Sequence, residues 1–269
     1  MPEHGWEEKL EALQETLRSY EKVAVAFSAG VDSTFLLAVA HEILGNDALA
    51  ITAQSPVFPA REHDEALEFC TEHGIRHIIF EADQFSVNGF AENPPERCYI
   101  CKRSLFESIC EKAHAEGFDI VVDGSNTDDL SDYRPGHKAL QELGIQSPLV
   151  ECGFSKQDIR DASAAMGLPT ATKQSFACLA TRIPYGETIT PEKLATIDAA
   201  EQILLDLGLS VVRVRLNGSE GRIETKPEDF GLMLENREHI VAGFKECGLD
   251  SATLDLRGYR TGSMNKIGL

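Results

Sequence analysis

Strand-like and helix-like patterns alternate through the first part of the chain, and this alternation constrains the fold more than any other feature. After a helix at 5–20, the predicted order is strand 23–27, helix 34–44, strand 48–53, helix 60–73, strand 75–80, helix 104–116, strand 119–123 and a helix from Ser155. Strands that alternate with helices form a parallel sheet covered on both faces. The predicted fold class is therefore α/β, with ligands bound beyond the carboxyl ends of the strands.

The pattern changes after about residue 185. A predicted helix at 191–207 precedes period-2 strands at 211–216 and 221–225, a helix at 229–246 and a last strand at 252–256. This order is typical of a small α+β module. We therefore predict two domains, 1–185 and 186–269, as the length of 269 residues also suggests.

Composition limits the possible partners. The chain carries 25 basic and 44 acidic residues, a net charge of −19, which disfavours nucleic acid and anionic membrane surfaces. With 42% apolar residues it has enough material for a core, and no apolar run reaches the ~18 residues of a spanning helix. The acidic N-terminus lacks a signal pattern, so a cytoplasmic location is expected. Seven cysteines in such a chain favour core, metal or catalytic thiols over disulfides.

The segment 28–34, called the phosphate loop below, lies between a predicted buried strand and a helix start. A glycine turn there presents backbone N–H groups and a helix N-terminus to an anion. It contains hydroxyl groups but no lysine, and Asp32 suits a polyphosphate site only if it holds Mg²⁺ or orders the loop. The alternative is an ordinary strand–turn–helix with Asp32 or Ser33 as the helix cap.

Ser-Ala-Gly-Val-Asp-Ser at 28–33 resembles the SGGxDS loop (PP-loop) of N-type ATP pyrophosphatases, with Ala29 in place of the first glycine. The stretches 95–102, 123–136 and 177–186 resemble the LarE family, ATP-dependent sulfur transferases that build the nickel-pincer nucleotide cofactor. The resemblance covers nearly the whole chain. It implies a Rossmann-like PP-loop domain, then a small α+β domain that binds substrate phosphate and takes part in assembly into a hexamer.

The resemblance also implies the reaction. Each carboxylate of pyridinium-3,5-biscarboxylic acid mononucleotide is adenylylated by ATP with Mg²⁺ and then converted to a thiocarboxylate. The implied partner is this small molecule, with no nucleic acid and no membrane. The residues predicted to bind ATP and Mg²⁺ are Ser28, Gly30, Val31, Asp32, Ser33, Thr34, Ser55, Gly124, Asn126, Asp128 and Arg134.

Two sulfur sources are known in the LarE family. In one, three cysteines hold a [4Fe-4S] cluster that carries an additional sulfide; in the other, one cysteine gives up its own sulfur once. Members of the second kind match the Cys178 region but lack a Cys-x-x-Cys pair, whereas this chain has Cys98 and Cys101 as well as Cys178. We predict the cluster, because a fourth iron without a protein ligand can carry sulfide. The alternatives are sacrifice of Cys178, a zinc site or a redox dithiol; Cys152 is expected to be structural.

Charged residues complete the predicted site. Lys102, directly after Cys101, is predicted to act in catalysis together with Asp32 and Cys178, by meeting ATP phosphate or the reacting carboxylate. Arg213 and Arg215 are two residues apart on a strand and share one face, which suits bidentate phosphate binding. The full predicted substrate-phosphate set is Thr181, Arg182, Arg213, Arg215 and Glu224. The alternatives are a solvated Lys102 and a surface Arg–Glu pair.

Three other functions stay open at this point. A tRNA-thiolating PP-loop enzyme would use similar thiols, although the charge of −19 disfavours an RNA partner. An amide-forming PP-loop synthetase would need an ammonia source and no cysteine triad. A non-catalytic cluster carrier would not exchange ATP with pyrophosphate.

Overall fold

The computed structural model describes residues 5–131, 135–174 and 177–260. The chain forms two compact units. Unit 1 comprises Met1–Ser55, Ala60–Val87 and Glu96–Phe176, and unit 2 comprises Pro56–Pro59, Asn88–Pro95 and Ala177–Leu269. The division into functional domains at residue 185 stays a prediction.

Unit 1 contains a parallel four-stranded sheet in the order β3–β2–β1–β4. Its strands are β1 (Val23–Ala26), β2 (Ala48–Gln54), β3 (Arg76–Glu81) and β4 (Val121–Val122). In the register, Val25 pairs with Ala50 and Ala24 pairs with Val121. All four carboxyl ends therefore lie at one edge of this sheet.

Helices cover both faces of this sheet. They are α1 (Trp6–Tyr20), α2 (Val31–Leu44), α3 (Ala60–Glu72), α4 (Arg97–Ala115), α5 (Pro135–Glu142), α6 (Pro148–Glu151) and α7 (Lys156–Ala165). Val23 and Val25 pack into one apolar core cluster with α1, α2, α3 and α7, and Ala24 and Ile51 pack into another with α4 and α5. The predicted α/β fold with a parallel sheet is confirmed.

Helix α4 begins seven residues before the predicted start at Ser104. Its buried apolar side chains, Phe106, Ile109 and Ala113, recur at helical spacing only in its second half, so the pattern gave no signal for the first turns. The Cys98-x-x-Cys101 pair consequently lies on the helix.

Unit 2 contains a three-stranded sheet in the order β5–β6–β7, with β5 antiparallel and β7 parallel to β6. Its elements are α8 (Pro191–Asp206), β5 (Val212–Asn217), β6 (Glu220–Thr225), α9 (Phe230–Glu235), α10 (Arg237–Glu246) and β7 (Ser251–Leu254). The single helix predicted over 229–246 is interrupted at Asn236, which separates α9 from α10. Over the described parts of both units, none of the helices has the length and apolar character needed to cross a membrane.

Candidate functional site

The phosphate loop joins the carboxyl end of β1 to α2, at the edge where parallel sheets bind ligands. Gly30 is the N-cap of α2 and has extended backbone (φ −76°, ψ 161°). The hydroxyl oxygens of Ser28 and Ser33 lie 3.2 Å apart, and the Ser33 hydroxyl donates to the Gly30 carbonyl at 3.3 Å. The first N–H groups of a helix have no acceptor within it, so this arrangement can receive an anion.

Ala29 adopts the left-handed conformation, with φ +53°. An L-residue with a Cβ is disfavoured there by about 1–2 kcal/mol, whereas glycine adopts this conformation freely. The glycine usual at this position of the SGGxDS pattern therefore has a conformational reason. The Ala29 carbonyl accepts a hydrogen bond from Lys173 Nζ at 2.9 Å, which helps to hold the loop in this shape.

Asp32, the second residue of α2, has a side chain that is 22% exposed. Its carboxylate forms an ion pair with Lys156 Nζ and accepts from Asn126 Nδ2 at 3.3 Å. Burial raises the pKa of Asp32, and the Lys156 charge opposes that effect. Mg²⁺ in ATP-using sites is bound through one or two carboxylates together with phosphates. The Asp32 carboxylate fits this chemistry.

The segment after β4 lies against the phosphate loop. A Cβ on Gly124 would lie 2.9 Å from the Ser33 backbone nitrogen, so glycine is required for this approach. Asn126 is buried, and its Oδ1 accepts from the Asp128 N–H at 3.0 Å. Asp128 Oδ2 in turn accepts from the Lys156 N–H at 3.1 Å. The structure thus brings predicted residues from two distant segments together around Asp32.

The remaining predicted nucleotide residues occupy varied surroundings. Val31 is buried at the start of α2, and the Ser55 hydroxyl donates to the Gln84 side chain. The Thr34 hydroxyl is buried and has no hydrogen-bond partner among the described residues. Arg134 lies outside the described residues. ATP contacts of these side chains stay predictions.

Lys102 lies on α4, and its Nζ is 4.0 Å from Asp123 Oδ2, directly after β4. Asp123 also accepts from the Ser147 hydroxyl at 2.6 Å. The Lys102 side chain is 37% exposed. The Lys102 ammonium group thus lies at the carboxyl edge of the sheet, at the limit of ion-pair distance from the Asp123 carboxylate. Its catalytic role stays a prediction.

Cys98 and Cys101 lie three residues apart in the first turns of α4 and are both half-buried. Side chains at this spacing share one helix face. The Arg97 guanidinium donates to Cys98 Sγ at 3.9 Å. All seven cysteines are thiols. Two thiols on one face fit two of the ligand positions of an iron–sulfur cluster.

Cys178, the third predicted ligand, belongs to unit 2. Over residues 5–131, 135–174 and 177–260, the structure contains no group of three or more His, Cys, Asp or Glu side chains arranged to hold a metal ion. The three-cysteine ligand set therefore stays a prediction.

Within unit 2, a buried ion pair fixes the backbone around Cys178. The Cys178 carbonyl accepts from the Thr181 hydroxyl at 2.8 Å and from Arg182 Nη1 at 3.1 Å. The Arg182 guanidinium is fully buried, and its Nε and Nη2 donate to the two carboxylate oxygens of Glu201 at 2.8 and 2.9 Å. Arg182 is thereby engaged inside unit 2 as a residue that positions the Cys178 segment, and a contact with substrate phosphate stays a prediction.

Arg215 and Glu224 form a second buried ion pair. Arg215 Nε and Nη2 donate to Glu224 Oε2 at 3.1 and 2.9 Å, and its Nη1 donates to the Thr181 carbonyl at 2.9 Å. The two side chains are only 9% and 3% exposed. The surface-pair alternative is therefore wrong for these two residues.

Arg213 is buried on the same strand as Arg215. Its Nη1 donates to the Val212 carbonyl at 2.7 Å, and the guanidinium lies over the Tyr259 ring, 5.1 Å from the ring centre. Burial, and then the positive charge of Arg182, lower the pKa of Arg213 to about 10. The guanidinium groups of Arg182, Arg213 and Arg215 thus lie in one region of unit 2, where Arg182 is paired with Glu201 and Arg215 with Glu224.

Three side chains of the site were missed by the sequence analysis: Lys156, Lys173 and Glu201. Lys156 could have been noticed in the sequence, because a positive charge at the first position of a helix is unfavourable with the helix dipole and suggests that the side chain has a partner elsewhere. Lys173 and Glu201 left none, since their partners are set by tertiary packing.

Comparison with known proteins provides independent information. No family model matches the chain. It is 39% identical to an uncharacterized protein of Synechocystis sp. over 97% of this chain and 98% of that protein. It is 34% identical to the pyridinium-3,5-bisthiocarboxylic acid mononucleotide synthase of Lactiplantibacillus plantarum over 96% of this chain and 94% of that protein. One of the subunits of the glutamine-hydrolyzing GMP synthase of Thermoplasma volcanium is 28% identical over 68% of this chain and 63% of that protein.

Proposed function

This chain belongs to the LarE family of enzymes within the PP-loop superfamily, and from that premise we propose that it is an ATP-dependent, AMP-forming sulfur transferase. The substrate is pyridinium-3,5-biscarboxylic acid mononucleotide, whose carboxylates become thiocarboxylates. One observation carries the proposal: the phosphate loop lies at the carboxyl edge of the sheet with the Asp32 carboxylate in its helix turn.

Adenylylation is the first step. A substrate carboxylate oxygen forms a bond to the α-phosphorus of ATP, and the bond from that phosphorus to the α–β bridging oxygen breaks. Pyrophosphate leaves with the electron pair. Backbone N–H groups of the phosphate loop hold the phosphates, and Asp32 would hold Mg²⁺, which supplies charge neutralisation when bound. Lys102, whose ammonium group lies 4.0 Å from Asp123 directly after β4, is the cation proposed to meet the reacting carboxylate.

Sulfur transfer is the second step. A sulfide nucleophile forms a bond to the acyl carbon, the carbon–oxygen bond to AMP breaks, and AMP leaves with the electron pair. A [4Fe-4S] cluster on Cys98, Cys101 and Cys178 would supply an open iron position for that sulfide. This chain contributes the face of α4 that carries Cys98 and Cys101, and the fixed backbone at Cys178.

The nucleotide phosphate of the substrate needs a cationic pocket. Arg213 and Arg215, with the hydroxyl of Thr181, supply guanidinium and hydroxyl donors of the kind that bind phosphate. Glu224 orients the Arg215 guanidinium, since Nε and Nη2 of Arg215 both donate to Glu224 Oε2. Substrate specificity would thus depend on unit 2, and ATP binding on unit 1.

The experiment is a pyrophosphate-release assay with the biscarboxylic substrate, using full-length wild-type protein and Asp32→Ala. Wild type is expected to form AMP and pyrophosphate only when substrate is present, and the variant to form neither. The Lys9→Ala variant, which removes a different lysine–aspartate pair of unit 1, is the matched control and should match wild type. Failure of wild type to split ATP, or full activity of Asp32→Ala, would contradict the proposal.

A further inference from the structure

A buried carboxylate lies at the carboxyl edge of the unit 1 sheet, near the ammonium group of Lys102. It belongs to Asp123, the first residue after β4, whose side chain is only 7% exposed. We propose that Asp123 is a positioning residue for adenylylation. Its charge keeps the Lys102 ammonium group at this edge and leaves the N–H donors of that group free for the substrate carboxylate. This inference rests on the proposed function and adds to it a residue that acts through Lys102.

Both oxygens of the Asp123 carboxylate are fixed by hydroxyl groups. Oδ1 accepts from the Ser147 hydroxyl at 2.6 Å, and Oδ2 accepts from the Ser125 hydroxyl at 2.5 Å. The backbone is fixed as well, because the Asp123 N–H donates to the Gln146 carbonyl at 3.0 Å. The position of this negative charge is therefore set by unit 1 itself, before a substrate binds.

Neighbouring residues guide the Lys102 side chain to the same edge. A Cβ on Gly136, in the first turn of α5, would lie 2.8 Å from Lys102 Cδ, so the alkyl chain follows a path that glycine leaves open. The Lys102 Nζ lies 5.8 Å from the centre of the Phe106 ring, one helical turn further along α4. Among the described residues of unit 1, the nearest carboxylate oxygen to this ammonium group is Asp123 Oδ2.

The distance of 4.0 Å between Lys102 Nζ and Asp123 Oδ2 determines what this pair can do. A hydrogen bond needs about 2.7–3.2 Å, whereas the attraction between two charges falls only in inverse proportion to their distance. Asp123 therefore attracts the ammonium group without occupying its donors. A lysine in direct contact with a carboxylate would have to break that contact before it met a second one. The donors of Lys102 stay available for the substrate carboxylate, whose repulsion from the triphosphate a cation offsets.

The test measures the single-turnover rate of AMP formation and the Kd of ATP, using full-length protein with Mg²⁺ and the biscarboxylic substrate. Asp123→Asn removes the charge and keeps the size, and a hydroxyl can donate or accept, so the contacts with Ser125 and Ser147 can persist. The rate should fall at least roughly 10-fold, as expected when a reacting group is misplaced, and the Kd of ATP should change less than about 3-fold. Asp250→Asn is the matched control, because Asp250 also accepts from a serine hydroxyl, at 2.5 Å, on the exposed turn before β7.

A Lys102→Met background separates positioning from a purely structural role. If Asp123 acts through Lys102, adding Asp123→Asn to Lys102→Met should change the rate less than about 3-fold, whereas independent effects would multiply. Gly136→Ala displaces the Lys102 side chain without removing a charge, so it should also slow AMP formation. Its melting temperature should not fall, because alanine favours a helix more than glycine does. Gly231→Ala in α9, where a Cβ would meet nothing within 4 Å, is the control for this variant.

Two results would overturn the inference and leave the proposed function intact. One is a rate of Asp123→Asn within about 3-fold of wild type, and the other is an equal fractional loss of rate in the Lys102→Met background. A Kd of ATP that rises as much as the rate falls would also overturn it, because Asp123 would then support the nucleotide site and not Lys102. Wild type that forms no AMP would contradict the proposed function, and the inference with it.

Discussion

The Arg182–Glu201 pair gives the most quantitative test of the structure. Both side chains are fully buried, and the carboxylate also accepts from the Val214 N–H at 2.9 Å. Arg182→Met removes one charge and leaves Glu201 without its counterion. Removing one partner of a buried pair costs about 3–5 kcal/mol. At roughly 2–4 °C per kcal/mol, the melting temperature should fall by about 6–20 °C.

The measurement is thermal unfolding followed by circular dichroism, within a double-mutant cycle. Arg182→Met/Glu201→Leu should be more stable than the two single changes predict by addition, because neither member of this pair is then left buried without the other. The control is Arg237→Met, which breaks a pair whose side chains are 68% and 89% exposed and should cost less than about 1 kcal/mol. A melting temperature of Arg182→Met within about 2 °C of wild type, below any shift from a buried pair, would refute the reasoning.

Three further predictions concern other residues. Arg213→Ala and Arg215→Ala should each weaken substrate binding by about 10–150-fold in calorimetry, as expected for loss of about 1.5–3 kcal/mol, and leave ATP affinity unchanged; unchanged substrate affinity in both would remove them from the pocket. Ala29→Gly relieves about 1–2 kcal/mol at φ +53° and loses about 0.4–1 kcal/mol to the entropy of the unfolded chain, so the melting temperature should rise by up to about 4 °C; a lower melting temperature would contradict this. Burial lowers the pKa of His77 from 6.5 to about 4, so the neutral side chain contributes stability above pH 6.5 that is lost as the pH falls towards 4. In urea unfolding, the free energy of unfolding of His77→Gln should therefore fall less steeply than that of wild type between pH 6.5 and 4. Identical pH profiles of the two proteins would contradict this prediction.

Much of the fold could be predicted, because the pattern of buried apolar residues determines where its strands and helices lie. The runs 23–27 and 48–53 are buried on both faces, as a central parallel strand requires, and their limits were predicted to within one residue. The start of α4 was missed because its first turns carry Cys98 and Cys101 instead of apolar residues at helical spacing. A break such as Asn236 between α9 and α10 has no periodic signal either.

For the site, spacing predicted which side chains share a face but not which partners they have. Arg213 and Arg215 are both buried on β5. A cross-strand Arg–Glu pair was among the alternatives, but it was expected at the surface, whereas the Arg215–Glu224 pair is buried. The sequence did not indicate that Arg215 would also donate to the Thr181 carbonyl. Nor did it indicate that Arg182 would be paired inside unit 2. Such pairings follow from tertiary packing, which a single sequence does not display.

The central claim is that Cys98, Cys101 and Cys178 hold an iron–sulfur cluster that delivers sulfide. An anaerobic reaction followed by mass spectrometry tests this claim most directly. Wild type supplied with ATP, substrate and sulfide should form several thiocarboxylate groups per chain and keep its intact mass. Cys98→Ala, Cys101→Ala and Cys178→Ala should each lose bound iron and turnover. A single thiocarboxylate per chain, with loss of about 34 Da at Cys178 as its sulfur leaves and no bound iron, would contradict the cluster and establish sacrifice of that cysteine.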